Sequence, residues 1–131
     1  MQVEFPFIKE EANVVRYILR PYAKIIFNRK FPEWLYVDSG ADITLLPKKV
    51  GEFLGFKIKE GEEVKEIKGI GNSKDPYVIR KVNMKIGKKE FEARIAWSLI
   101  EDVPMVLGRL DVFDKFDTLF KEREEKVVFI D

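Results

Sequence analysis

The sequence predicts one all-β domain with one or two short helices, and three observations support this fold class. The chain has 131 residues with 46% hydrophobic content, enough for one core but not for two. Apolar and polar side chains alternate with a period of two in several segments, which is typical of strands with one buried face. Clusters rich in glycine, proline, asparagine and charged residues separate these segments and indicate turns.

The first half of the chain predicts two paired strands that lead to an acidic turn. Segments 23–27 and 34–37 are apolar, and the polar cluster 28–33 between them is typical of a hairpin loop. Asp38 directly follows the second strand and so lies at a strand end. Segment 47–55 begins with proline, stops at glycine and has apolar residues at helical spacing, which predicts a short helix.

A second hairpin is predicted from segments 64–70 and 77–86, joined around 71–76. Its second strand has one period-two face, made of Val78, Arg80, Val82, Met84 and Ile86. Arg80 is the exception on this otherwise apolar face.

The second half predicts strands at 91–99 and 103–107, a helical turn or two at 109–116, and strands at 117–120 and 127–130. The apolar terminal strand would have an exposed edge unless something covers it, and a second subunit is one way to cover it. We treat residues 1–20 as an N-terminal arm or edge strand of unknown role, ahead of a domain that spans 21–131.

Composition excludes several functional classes. With 24 basic and 23 acidic residues, the chain lacks the clustered basic excess of a nucleic-acid-binding protein. The apolar run 95–100 is too short to span a bilayer and the N-terminus lacks a signal-peptide pattern, so we expect no membrane association and a cytoplasmic location. The charged fraction of 36%, rich in Lys and Glu, is typical of thermophilic proteins, although an ordinary soluble surface could share it.

Cysteine and histidine are both absent from the sequence. Their absence removes disulfides, thiolate nucleophiles, serine-histidine triads and the usual zinc ligands. Any chemistry must therefore use carboxylates, hydroxyls or lysines, and we expect no cofactor and no metal.

Asp38 is the first candidate for such chemistry. It lies within the apolar stretch Leu35–Leu46, beside Ser39 and Gly40. A carboxylate next to buried strand is costly unless it is paired, neutralised or used in function. An Asp-Ser-Gly tripeptide taken alone is more often a turn, so the rest of the sequence must decide.

Three motifs in family order resemble those of the retropepsins, the single-domain aspartic proteases of retroviral type. The Asp38–Asp42 segment (DSGAD), after an apolar strand, resembles their active-site segment. The Met105–Leu110 segment (MVLGRL) resembles their apolar pair, glycine and arginine before a helix, and Ile67–Gly71 resembles their glycine-rich flap. The resemblance covers 21–130 and implies a small closed or folded-over acid-protease barrel that acts as a homodimer; the N-terminal arm is more similar to cellular retropepsin-like proteins.

Peptide-bond hydrolysis without a covalent intermediate requires two carboxylates, one as base and one as acid. This chain has one Asp-Ser/Thr-Gly element, because Leu119 replaces the glycine in the other candidate, Asp117-Thr118-Leu119. The missing acid must come from another copy. We therefore predict a twofold homodimer in which Asp38 is catalytic and shares one proton with its symmetry mate.

The resemblance also implies roles for neighbouring residues. Ser39 would bond across the dimer axis, and Gly40 would let the two loops approach. Asp42 and Arg109 would form a salt bridge that braces the loop around Ala41, and Gly108 would permit close packing below the site. Contacts to an extended peptide or protein substrate, including the flap, would come from Ala41, Ile43, Leu45, Ile67, Gly69, Ile70, Gly71, Met105 and Val106.

Three points stay open at this stage. The flap tip could be Gly69–Gly71, as the resemblance implies, or the turn signal 72–76. A non-catalytic peptide-binding or dimerisation module would use the same dimer without cutting, although the retained acid, hydroxyl and glycine favour an aspartic endopeptidase. A metal site at Asp38 and Asp42 is weaker, because the segment lacks the further oxygen ligands of a calcium loop.

Overall fold

Almost all of the regular structure is β-strand in the computed structural model, which describes residues 1–68 and 74–131. The strands of that part of the chain are β1 (Gln2–Pro6), β2 (Ile8–Glu11), β3 (Tyr17–Arg20), β4 (Tyr22–Phe27), β5 (Phe31–Val37), β6 (Thr44–Leu46), β7 (Lys65–Lys68), β8 (Lys74–Ile86), β9 (Lys89–Ser98), β10 (Val106–Leu107), β11 (Asp117–Lys121) and β12 (Lys126–Ile130). Its helical segments are α1 (Lys48–Phe53) and two 3-10 turns, Phe113–Lys115 and Glu122–Glu124. The predicted all-β class with short helices is confirmed.

Six strands close into a barrel. Their order is β4-β5-β10-β6-β9-β8, and pairing of β4 with β8 closes the ring. Most neighbours are antiparallel, but β10 runs parallel to β5, and β6 runs parallel to β9. The short β6 and β10 thus bring the segment after Asp38 and the segment before Arg109 side by side, although they are far apart in sequence.

The alternating pattern of β8 and β9 builds much of the core. On β8, Val78, Val82, Met84 and Ile86 are buried as predicted, and the β9 partners of Val78 and Val82, which are Trp97 and Ala93, are also buried. Arg80 interrupts this face without being left unpaired, because its guanidinium donates to Glu62 and to the carbonyl oxygen of Lys57. This pair fastens the loop before β7 to β8.

The hairpin of β7 and β8 is the one predicted to carry the flap. Its strands pair antiparallel from Lys65 opposite Tyr77 to Lys68 opposite Lys74. The predicted tip residues Gly69, Ile70 and Gly71 lie outside the described residues.

The terminal strands form a separate three-stranded sheet with the order β1-β12-β11. Val127, Val128 and Phe129 of β12 are completely buried because β12 is the central strand. β1 and β11 therefore cover both edges of the terminal strand within the same chain. The edges belong to β1 and β11.

The helical turn predicted at 109–116 is present as the 3-10 turn Phe113–Lys115, and the amide of Phe113 also donates to the carbonyl oxygen of Arg109 at 3.0 Å. Asp111 has a φ of 63°, in the left-handed region that a right-handed helix cannot include. Its carboxylate accepts hydrogen bonds from Arg94, which hold the turn in this conformation. The left-handed conformation of Asp111 thus keeps the helical segment to this short turn.

Residues 1–20 contribute two elements. The edge strand β1 pairs with β12, and β2 pairs with β3 as a two-stranded hairpin from Ile8 opposite Arg20 to Glu11 opposite Tyr17. The division of the chain at residue 21 stays a prediction.

Candidate active site

Asp38 lies half-buried in a turn at the carboxyl end of β5. The amide of Asp38 donates to the carbonyl oxygen of Leu107 at 3.1 Å, which ties the turn to β10. The amide of Gly40 donates to Asp38 Oδ1 at 2.9 Å, and a Cβ at Gly40 would lie only 3.3 Å from that oxygen. The turn therefore holds one carboxylate oxygen, and glycine leaves room around it.

Gly108 lies against the strand that leaves this turn. Its amide donates at 3.1 Å to Oγ1 of Thr44, a residue with no exposed surface. A Cβ at Gly108 would collide with the backbone of Ile43 and Thr44. Only glycine permits this approach of the two segments.

Arg109 braces the turn through backbone atoms. The amide of Arg109 donates to the carbonyl oxygen of Ala41 at 2.9 Å. The amide of Leu110 donates to the carbonyl oxygen of Asp42, also at 2.9 Å. The Arg109 guanidinium donates to the carbonyl oxygen of Ser39 at 3.2 Å. Within the described residues, Asp42 and Arg109 do not form an ion pair. In the single chain, Arg109 instead supports the loop through hydrogen bonds to carbonyl oxygens.

Hydrogen bonds from Arg94 to Asp111 support the turn that follows Arg109, and the sequence interpretation missed them. Arg94 on β9 donates to Asp111 through its backbone amide at 2.9 Å, through Nε at 2.8 Å and through Nη2 at 2.9 Å. These guanidinium hydrogen bonds hold the pKa of the Asp111 carboxyl well below its usual range. Nothing local in sequence indicated this contact, because 17 residues separate the two partners.

An open cleft of about 750 Å³ has Asp38 at one side. Aromatic side chains of the neighbouring strands β4 and β5 and the segment that enters β10 line the cleft; these residues are Tyr22, Trp34, Tyr36, Pro104, Met105 and Val106. Tyr22 and Tyr36 pack edge to face, with ring centroids 5.7 Å apart. The cleft therefore offers apolar and aromatic surface beside the carboxylate.

The aromatic wall was not predicted, although a signal for it exists in the sequence. Trp34, Tyr36 and Asp38 are spaced by two residues, so a strand that ends at Asp38 places all three on one face. Leu35 and Val37 alternate with them and are buried in the core.

Charged groups of the N-terminal hairpin form one rim of the cleft. Glu10 Oε2 accepts a hydrogen bond from the Tyr22 hydroxyl at 3.2 Å and lies 3.0 Å from Arg20 Nε. Burial, followed by the nearby Glu10 carboxylate, raises the pKa of the Tyr22 hydroxyl. The segment treated as an arm of unknown role thus contributes to the surroundings of Asp38.

The structure brings together only some of the predicted substrate contacts. Met105 and Val106 line the cleft with Asp38, whereas Ala41, Ile43 and Leu45 do not belong to its lining. Leu45 pairs with Val106 inside the barrel sheet, and Ile67 lies in β7. Within the described residues, no group of three or more acidic side chains is placed to hold a metal ion, and no helix is long and apolar enough to cross a membrane.

Solved structures that are similar to this fold include two proteases. The EIAV protease in complex with the inhibitor HBY-793 has a TM-score of 0.57 and 22% identity, over 73% of this chain and 86% of that chain. A retropepsin-like aspartic protease from Rickettsia conorii has a TM-score of 0.68 and 17% identity, over 98% of this chain and 91% of that chain. No family model and no curated protein matches the sequence. At these identities the likeness shows the fold, and the predicted retropepsin-type barrel is confirmed.

Proposed function

We propose that this chain, which has the retropepsin-like fold, is an aspartic endopeptidase that acts as a homodimer. Asp38 and the partner subunit's Asp38 activate a water molecule, which attacks the carbonyl carbon of a peptide bond. One carboxylate takes a proton from the water, and the other acid donates a proton to the carbonyl oxygen or the departing nitrogen.

The proposal rests on one observation, the hydrogen bonding of the Asp38 carboxylate at the cleft. Within the described residues, the hydrogen bonds to its carboxylate come from the Gly40 amide alone, which bonds Oδ1. The other oxygen is therefore available to a water molecule. A half-buried acid that is oriented by a hydrogen bond but is not paired with a cation is a suitable general base.

The need for a second copy follows from the number of acids. The other Asp-Thr sequence, at Asp117, lies within β11 and not in a turn at the cleft. Two carboxylates that meet at a twofold axis cannot both ionise readily, so they hold one shared proton and titrate as a unit, as aspartic proteases do. We expect a mildly acidic pH optimum.

The substrate class follows from the walls of the cleft. An extended peptide with apolar or aromatic side chains fits beside Tyr36, Trp34 and Met105. Both similar solved structures are described as proteases, and one of them holds an inhibitor.

Peptide cleavage tests the proposal directly. The purified protein is incubated with a mixed peptide library at several pH values, alongside Asp38→Asn and a control, Asp114→Asn, whose side chain is 69% exposed. We expect cleavage by the wild type and the control and none by Asp38→Asn. A peptide bearing a hydroxyl-bearing tetrahedral mimic of the scissile bond should inhibit.

Three results would contradict parts of the proposal. No cleavage by a folded dimer would favour a non-catalytic peptide-binding module. An optimum well into alkaline pH would count against the shared proton. A monomer at high concentration in sedimentation would exclude the two-acid mechanism.

A further inference from the structure

The N-terminal hairpin of β2 and β3 borders two depressions of the surface. Glu10 and Arg20 lie on one of its faces and line the Asp38 cleft. Tyr17 and Leu19 lie on its other face and line a second depression of about 370 Å³, which we call the hairpin groove. The two linings have none of the described residues in common, so the hairpin groove is distinct from the cleft.

The lining of the hairpin groove combines apolar and acidic side chains from two elements. The apolar side chains belong to the N-terminal segment and are those of Phe7, Tyr17, Ile18 and Leu19. The acidic side chains belong to the turn between β11 and β12 and are those of Glu122 and Glu125. A ligand that matches this lining carries apolar surface and positive charge close together.

Hydrogen bonds hold the two elements of the lining together. The amide of Phe7 donates to the carbonyl oxygen of Glu125 at 2.8 Å, and the Phe7 side chain is buried. The amide of Glu125 donates to the carbonyl oxygen of Glu122 at 3.2 Å, which closes the turn. The groove is therefore formed within the single chain, and a ligand does not have to order it.

The two glutamates of the lining have charge that the fold does not use. Glu124, between them in the turn, lies 3.5 Å from Lys121 Nζ and 3.7 Å from Lys126 Nζ. Among the residues that the structure describes, neither Glu122 nor Glu125 forms an ion pair, and both are exposed. Their carboxylates are therefore available to a basic ligand.

Tyr17 and Ile18 supply exposed apolar surface in the same groove. Tyr17 is 47% exposed and Ile18 is 41% exposed. Lys9 Nζ lies 3.8 Å from the centre of the Tyr17 ring, although Lys9 does not belong to the lining of the groove. This contact shows that the ring accepts an ammonium group, as cation–π pairs do.

We propose that the hairpin groove binds an extended segment of a protein substrate that carries aliphatic and basic side chains. The aliphatic side chains and the stems of lysine or arginine cover Tyr17 and Ile18, while the charged groups reach Glu122 and Glu125. This inference rests on the proposed function, since the same substrate is cleaved in the Asp38 cleft.

Charge and position favour this occupant over others. Glu122 and Glu125 would repel the phosphates of a nucleic acid or of an anionic membrane. Because the groove and the cleft have separate linings, a bound segment leaves Asp38 free to receive the scissile bond. Binding at the groove raises the effective concentration of the scissile bond at Asp38, so substrates with such a segment are selected.

Fluorescence anisotropy tests binding with a short fluorescein-labelled peptide in which leucine and lysine alternate. The protein carries Asp38→Asn, which leaves the peptide uncut. We expect saturable binding that weakens as the salt concentration rises, because salt screens ion pairs. A matched peptide with glutamate in place of lysine should bind at least about tenfold more weakly. Equal binding of the two peptides would overturn the proposed recognition.

Neutral variants of the two glutamates locate the binding site. Glu122→Gln/Glu125→Asn should weaken binding of the leucine–lysine peptide about tenfold. Asparagine suits position 125 because φ there is 54°. The matched control Glu52→Gln/Glu63→Gln removes two exposed charges elsewhere and should leave binding unchanged. Equal weakening by both double variants, or weakening by neither, would overturn the assignment to this groove.

Sedimentation of the same variants identifies a different occupant. Substrate binding predicts that Glu122→Gln/Glu125→Asn leaves self-association unchanged. A dimer dissociation constant about tenfold higher than that of the control variant would place a segment of a second copy in the groove, and would overturn substrate binding there.

Cleavage kinetics test whether the groove selects substrates. A short cleavable peptide is compared with the same peptide extended by a flexible Gly-Ser linker and the leucine–lysine segment. In the wild type the extension should lower KM about tenfold and leave kcat unchanged, because it adds binding energy away from the scissile bond. In Glu122→Gln/Glu125→Asn this advantage should disappear while cleavage of the short peptide is unchanged. Equal KM values for the two peptides in the wild type would overturn the role of the groove in substrate selection.

Failure of this inference and failure of the proposed function are distinguishable. Cleavage of short peptides without preference for the leucine–lysine segment would overturn the groove and leave the enzyme intact. Binding of the leucine–lysine peptide through Glu122 and Glu125 without any cleavage would support recognition by the groove and contradict the proposed activity. Neither binding nor cleavage would overturn both.

Discussion

Replacing Gly108 with alanine tests how closely the strand that carries Arg109 must approach the Asp38 turn. A Cβ at this position would lie 2.7 Å from the backbone nitrogen of Thr44 and closer still to the carbonyl group of Ile43. These are backbone atoms, so no flexible side chain can move aside. We expect β10 and β6 to separate by about 1 Å, since interiors are close-packed.

Two contributions determine the magnitude. Overpacking of a well-packed site costs typically about 1–3 kcal/mol. Separation of the strands also stretches the buried hydrogen bond from the Gly108 amide to Thr44 Oγ1, which adds about 1 kcal/mol. The free energy of unfolding should therefore fall by about 2–4 kcal/mol.

Urea unfolding followed by tryptophan fluorescence measures this loss, and Gly61→Ala is the matched control. Gly61 has a φ of 76° and open space around it, so alanine there costs only backbone strain of about 1 kcal/mol. Cleavage by folded Gly108→Ala should fall by up to about a hundredfold, because the acid is displaced. A loss no larger than that of Gly61→Ala would refute the reasoning.

Three further predictions concern contacts that hold the barrel and the turn after Arg109. The hydrogen bonds from Arg80 lower the pKa of Glu62 to about 2 from 4.5, so the stability they supply is complete above pH 4.5 and is lost as the pH falls toward 2. The melting temperature of Glu62→Gln should thus differ from wild type most at neutral pH and converge with it near pH 2; a constant difference would contradict this. Gly51→Ala should cost about 1–3 kcal/mol in urea unfolding, because its Cβ would overlap the indole ring of Trp97, and a change under about 0.5 kcal/mol would contradict the packing. Arg94→Ala removes the hydrogen bonds that support the turn after Arg109 and should lower peptide cleavage about tenfold while the barrel stays folded by circular dichroism; unchanged cleavage would show that these hydrogen bonds are dispensable.

The elements predicted correctly are those with a local cause. The alternation in β8 and β9 is a property of neighbouring residues, so the buried face could be predicted from the sequence. The helical turn predicted at 109–116 forms, but its extent depends on Asp111, which has a left-handed conformation and accepts hydrogen bonds from Arg94. Helical spacing carries no information about a partner on another strand.

The features of the candidate site also fall into two groups, those that local motifs predict and those that only the tertiary structure places. That Asp38, Ser39 and Gly40 form a turn at a strand end, and that Gly108 and Arg109 accompany them, followed from motifs within short segments. The sequence by itself therefore determined the turn at Asp38, because turn chemistry is local, and the barrel class followed from the resemblance of its motifs to those of the retropepsins.

Only the tertiary structure decided what surrounds the acid. Pairing of β10 with β5 places Met105 beside Tyr36, and the Arg109 guanidinium donates to the carbonyl oxygen of Ser39. Pairing with β1 and β11, which come from distant parts of the chain, makes β12 the central strand of the terminal sheet. These arrangements depend on strand pairing between distant segments, since contacts of that kind are set by closure of the whole sheet and not by any one segment.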